Sequence, residues 1–192
     1  MKLPLVDIHT HRPTQAITLH AVGLHPWNAD QPLPSEDAFL AADAVGEIGL
    51  DRACSVDFKL QEAAFAAQLQ VAERLQKSVV IHCVRAFNKV MQSLRGHHLT
   101  AVIFHGFIGS KEQAEEALKG GYYLSYGLRT ARSPKTIEAL RATPLNRLFV
   151  ETDDDPAPIE EAYAVIASLR GVSIEELQRA THENYTRLFQ KQ

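Results

Sequence analysis

Cysteine is scarce in this chain of 192 residues: Cys54 and Cys83 stand alone, neither in a C-x-x-C pair. A disulfide-stapled secreted scaffold is thereby excluded, and free thiols in a reducing compartment are expected. No run approaches the roughly 18 to 20 consecutive apolar residues that a membrane-spanning helix needs, so no membrane span is expected. The start, "MKLPLVD", reaches Pro4 and Asp7 before an apolar core could form. It does not read as a secretory signal, and a cytoplasmic location is expected. A strong basic excess is also missing, since the formal net charge is −3. Many nucleic-acid binders work by broad phosphate neutralisation, so any phosphate recognition here must be local or carried by bound metal. Repeats, low-complexity tracts and linkers are absent, and residues 1–192 read as one domain.

What is present is an alternation. Short apolar runs at 3–8, 17–24, 44–48, 79–81, 101–104, 122–125 and 148–150 have the composition of buried strands. Between them lie amphipathic stretches with helix signals. The longest is 57–76; Ser110 can cap 110–119; Ser133-Pro134 opens another; 158–169 follows; and Ser173 with Glu176 makes a capping box for a last helix ending near Phe189. Strand–helix alternation predicts a parallel sheet with crossover helices, open or closed into a (β/α) barrel. Either form gathers functional groups at the carboxyl ends of its strands.

Those ends carry the chemistry. "VDIHTH" (6–11) supplies Asp7, His9 and His11, and alternation along a strand projects His9 and His11 the same way. "GLHPW" supplies His25, "VGEIGLD" Glu47 and Asp51, "VVIHC" His82, "VIFHG" His105 and "LFVETDDD" Asp153. Imidazole and carboxylate donors suit Zn²⁺, Mn²⁺, Fe²⁺ and Ni²⁺, and carboxylates suit Mg²⁺. Four of these histidines with two of the carboxylates already exceed the needs of one ion; two ions about 3.5–4 Å apart, sharing one carboxylate, would use six such donors.

In order along the chain, "DIHTH", "VGLHPW", "VGEIGLD", "VVIHC", "VIFHGFIGS", "PLNRLFVETD" and "EELQRATHENYTRLF" resemble the TatD family of metal-dependent hydrolases, within the amidohydrolase-type barrel enzymes. The resemblance implies a TIM-type (β/α) barrel and a metal-dependent hydrolase. It makes His9, His11 and Asp153 ligands of one divalent ion, Glu47 a bridging ligand, and His82 and His105 ligands of a second. Asp153 would also deprotonate the attacking water, with Glu47 as its catalytic companion. His25 and Asp51 match family motifs as groups that orient ligands or touch substrate. Asn184 would tie the last helix to the barrel.

Two departures stand out. Only residues 12–22 lie between His11 and Gly23, where the family fits a helix, a strand and a second helix. A barrel shortened to about seven parallel strands is therefore expected, as a monomer or a homodimer that covers an open edge. After "ETD", Asp154 and Asp155 add carboxylates that would repel a phosphate backbone. Val84 stands where the family commonly has an arginine, and Arg85 follows. Arg129, Arg132 and Lys135 of "GLRTARSPK" could cradle a phosphate, or form a solvated basic loop.

The activity implied is a phosphodiesterase, in particular a 3′–5′ deoxyribonuclease acting on DNA. Hydrolysis of a smaller ester or amide, as by a deacylase or lactonase, and non-catalytic metal binding are the alternatives. The other histidines have plainer readings: His20 packs within a strand, His97 and His98 are solvated, and His182 lies in the last helix. Cys83 faces away from His82 as a core thiol.

Overall fold

The computed structural model describes residues 3–190. The chain divides into two compact units, His20–Phe104 and a discontinuous unit made of the stretch up to Leu19 with His105 onward.

The first unit contains β1 (Ala21–Val22), α1 (Glu36–Ala41), β2 (Ala44–Asp51), α2 (Phe58–Arg74), β3 (Ser78–Val84), α3 (Phe87–Leu94) and β4 (Val102–Phe104). β1, β2, β3 and β4 pair in that order, every pair parallel. Parallel neighbours need crossovers, and α1, α2 and α3 supply them. Val45, Ile48 and Leu50 of β2 are buried with Val79, Val80 and Ile81 of β3, and Phe65, Leu69 and Ala72 of α2 are buried with them. α2 packs on β2. Two buried glutamines on α2 stitch strand exits to this helix. Gln61 Oε1 accepts from Asp51 N–H at 2.8 Å while its Nε2 donates to Asp51 O at 3.0 Å. Gln68 does the same at Leu24, accepting at 2.6 Å and donating at 3.1 Å. Both clamps fall where a strand hands over to a site motif.

The second unit contains α4 (Lys111–Lys119), β5 (Tyr123–Tyr126), α5 (Pro134–Ala142), β6 (Leu148–Val150), α6 (Ile159–Arg170) and α7 (Ile174–Phe189). β5 and β6 are parallel, with α5 between them in sequence. Helix signals act as expected. Ser110 and Gln113 form a reciprocal capping box, Pro134 opens α5, and Ser173 Oγ accepts from Glu176 N–H at 3.0 Å. Asn184 ties α7 down by donating to the carbonyls of Leu145 and Leu148, both at 2.8 Å.

Six strands are present among the described residues, where seven were expected. The expected first strand, 3–8, is extended chain held by isolated bridges, Val6 to Ile17 and Thr10 to Asp153. Its main chain does begin to pair with β6, Ile8 N–H donating to Val150 O at 3.1 Å. The ladder is then interrupted because the Asp7 carboxylate takes the Thr152 N–H at 2.9 Å and its hydroxyl at 2.7 Å. The expected second strand, 17–24, shrinks to Ala21–Val22, and His20 is exposed rather than packed. Two helices were not foreseen: α1, capped by Ser35, and α3, whose buried Phe87, Val90, Met91 and Leu94 follow helical spacing. No helix among the described residues is long and apolar enough to cross a membrane.

Candidate metal centre

In the first unit the site grows from a strand irregularity. Val45 pairs with Val79 and Ile48 with Ile81, so Gly46 and Glu47 together face the single residue Val80. Such a bulge re-aims a side chain. Beyond it, Gly49 is registered against His82. Residues two apart share a face, so His82 stands between Glu47 on one side and Asp51 on the other. Its Nδ1 lies 3.0 Å from Glu47 Oε1, and its Nε2 3.0 Å from Asp51 Oδ2. Gly49 has no alternative there: its φ is +148° and a Cβ would come within 1.9 Å of His82 O.

With its Nε2–H given to Asp51, His82 would turn its Nδ1 lone pair to the Glu47 side, as in carboxylate–histidine–metal arrangements. His25 is set differently. It caps the short 3₁₀ turn Pro26–Asn28, and its Nδ1 accepts from Trp27 N–H at 3.1 Å. The proton of a neutral His25 therefore sits on Nε2, which lies 3.3 Å from Glu47 Oε1 and 3.3 Å from His82 Nδ1. A neutral His25 thus offers a donor beside the Glu47 carboxylate. Asp51 also accepts from the Trp27 indole N–H at 2.7 Å and from Ala53 N–H at 2.7 Å. Burial acts to raise the Asp51 pKa, and the hydrogen bonds from Trp27, His82 and Ala53 more than offset it, holding the carboxyl below its usual range.

The second unit holds His9, His11, His105 and Asp153. The rings of His9 and His105 are 4.3 Å apart, and those of His9 and His11 4.9 Å apart, edge to face. Asp153 Oδ1 lies 3.5 Å from His11 Nε2 and 3.8 Å from His9 Nε2. Asp153 adopts φ +56°, a left-handed conformation that aspartate tolerates better than most residues. Its backbone is gripped on both sides: Asp153 N–H donates to His9 O at 3.0 Å, and His11 N–H donates to Asp153 O at 3.1 Å. These bonds bring the ends of "DIHTH" and "VETD" together.

Behind this group stands Glu151, 1% exposed, with Oε1 3.3 Å from His105 Nδ1. Burial pushes its pKa up, but the adjoining His105 and His9 imidazoles outweigh that and keep it below the usual range. Glu151 therefore does for His105 what Asp51 does for His82. The sequence reading passed over it, although it stands two residues before Asp153 at the exit of β6. Asp7, beside His9, is pushed by burial up to about 6 and belongs to the Thr152 clamp.

Arg129 and the acidic pair also fall in this unit. Arg129, in the 3₁₀ turn Leu128–Arg132, reaches to 3.9 Å from Asp153 Oδ2 and lines a cleft with Gly106, Thr130, Asp153 and Asp155. Asp154 is exposed within reach of His11 and Asp153, while Asp155 Oδ1 accepts from Ala157 N–H at 3.0 Å. Arg132 and Lys135 are exposed. The plainly read residues stay apart: His97 meets Glu73 at 2.8 Å, and burial pushes the Cys83 thiol up to about 12.

The donors fit a first-row divalent ion. Metal bonds of about 2.0–2.2 Å place neighbouring donors roughly 2.9–3.5 Å apart. Glu47 Oε1 to His82 Nδ1 at 3.0 Å falls inside that window, and His11 Nε2 to Asp153 Oδ1 at 3.5 Å lies at its edge. His9, His105 and Asp153 also converge within ligand reach. Imidazoles and carboxylates gathered at strand ends, two of the imidazoles backed by buried carboxylates, define a metal-dependent hydrolase of α/β fold.

Residues 8–190 match the family described as TatD related DNase, and the chain belongs to that family. It is 33% identical over 190 residues to the Escherichia coli "Uncharacterized metal-dependent hydrolase YcfH", covering 87% of this chain and 72% of that one. It is 28% identical over 201 residues to the Citrobacter rodentium "3'-5' ssDNA/RNA exonuclease TatD", covering 87% and 75%. The crystal structure of YjjV, a TatD homolog from Escherichia coli, superposes with a TM-score of 0.78 at 29% identity, over 91% of this chain and 78% of that one.

Proposed function

We propose that this chain is a phosphodiesterase, in particular a deoxyribonuclease releasing nucleotides from a 3′ end, and that it uses two divalent ions. Asp153 carries the reading: a carboxylate set between His9 and His11 on one side and Arg129 on the other. The exonuclease name of the Citrobacter relative supports the substrate class. His9, His11 and Asp153 would ligate one ion, and Glu47 and His82 the other; His105, expected as a ligand of the second ion, converges instead with His9 and Asp153 and would join the first. When bound, the ions supply an acidified water and charge to offset that growing on the phosphate.

The chain's own residues do the rest. Asp153 accepts the proton of the attacking water at a carboxylate oxygen. Arg129, 67% exposed on its side chain, can turn from Asp153 Oδ2 to a substrate phosphate. Asp51 and Glu151 hold His82 and His105 in one tautomer each, and His25 donates its Nε2–H toward Glu47.

Asp154 and Asp155 favour a second reading, hydrolysis of a smaller ester or amide, because two carboxylates beside Asp153 oppose a polyanion. Mononucleotide release from single-stranded DNA with Mg²⁺, Mn²⁺ or Zn²⁺, run beside Asp153→Asn, decides. Metal-dependent release by the parent alone supports the nuclease; no release by an ion-loaded protein moves the assignment to the smaller substrates.

A further inference from the structure

We propose that Trp27 is a stacking platform for a nucleobase, so that the substrate of this site is recognised through a planar ring as well as through its phosphate; this rests on the phosphodiesterase reading. Trp27 is the only tryptophan in the chain and is 58% exposed. An exposed apolar side chain by itself needs no explanation. This one is pinned at both ends. Its indole N–H donates to Asp51 Oδ2 at 2.7 Å, and its backbone N–H donates to His25 Nδ1 at 3.1 Å. Pro26, at the start of the same 3₁₀ turn, restricts the backbone just before it.

The ring is therefore held next to the ligands while much of its surface faces water. It meets His25 edge-on at 4.8 Å between centroids and lies 6.1 Å from His82. A nucleotide carries its base and its phosphate a few ångströms apart, so a phosphate near Glu47 and His82 leaves its base at the indole. The exposed leucines of the same unit, Leu33, Leu40 and Leu60, offer no π-face. Charge argues the same way. With a net charge of −3, the chain has little phosphate-neutralising surface to draw on, and stacking supplies affinity that every base can use. Because the ring is already fixed, little rotamer freedom is lost on binding.

The single tryptophan makes the test direct. The ion-loaded Asp153→Asn chain is titrated with a short oligothymidylate and with an equally long chain of abasic tetrahydrofuran units, while tryptophan emission is followed. Saturable quenching is expected from the thymidylate alone, and the abasic chain, added as a competitor against it, is expected to bind roughly 5- to 150-fold more weakly. Two variants separate the ring from its N–H. On otherwise unmodified protein, Trp27→Phe keeps a ring and retains the KM preference for bases, whereas Trp27→Gln keeps an N–H donor for Asp51 and loses that preference without weakening Mn²⁺ binding. Equal affinity for the two chains, or a preference that survives in Trp27→Gln, overturns the stacking role. Cleavage of both chains with equal KM leaves the phosphodiesterase standing and removes the stacking. Base-selective quenching with cleavage of neither chain does the reverse.

Discussion

His82 is registered directly opposite Gly49, the residue midway between Glu47 and Asp51, and that pairing delivers one imidazole to two carboxylates. A side chain at Gly49 would break it, since its Cβ would meet His82 O at 1.9 Å and φ is +148°. Gly49→Ala is expected to cost about 2–4 kcal/mol of stability, read by denaturant unfolding, and to lower the affinity for Mn²⁺. A variant within 0.5 kcal/mol of the parent, on the scale of an ordinary surface substitution, would contradict the register argument.

Asp51 and Glu151 hold histidines without offering themselves as ligands. Asp51→Asn and Glu151→Gln keep shape and lose charge, so each is expected to weaken divalent-ion binding about 10- to 100-fold with secondary structure intact. Calorimetric titration with Mn²⁺ measures it, and unchanged affinity in both variants would remove the positioning role.

The proposed reaction puts Glu47 and Asp153 at its centre. Glu47→Gln and Asp153→Asn should each lower turnover by at least roughly 10²-fold while circular dichroism and unfolding midpoints stay close to the parent. Near-parental turnover in both would sink the assignment.

Tyr163 gives a pH prediction away from the metal ligands. Its hydroxyl donates to Val6 O at 2.9 Å, accepts from Val6 N–H at 3.1 Å and lies 2.7 Å from Thr181 Oγ1. Burial raises its pKa from 10.0 to about 12. The unfolded chain releases this proton first, so the contribution is whole below pH 10 and is lost as pH rises toward 12. Tyr163→Phe, which leaves the Val6 main-chain groups without this partner, should cost about 1–3 kcal/mol at neutral pH. The gap between parent and variant should narrow above pH 10. A gap that widens there would refute the assignment.

Much of this was legible along the chain because it is local. Ser110, Ser173 and Pro134 act within one helical turn of where they stand, and the ligand types sit at the strand exits where alternation puts them. α3 was equally legible, since Phe87, Val90, Met91 and Leu94 carry the helical period. The expected strand at 3–8 failed for a non-local reason: the Asp7 carboxylate competes with main chain for Thr152 N–H across 145 positions of sequence.

The family, the α/β alternation and the identity of the donor atoms can be read along the chain, because they follow from residue type and short-range period. Which carboxylate backs which histidine, and that Trp27 is pinned rather than merely exposed, emerged with the folded chain. Those facts depend on register and on hydrogen-bond partners tens of residues away, and a strand's period does not say what its neighbour will place across from it.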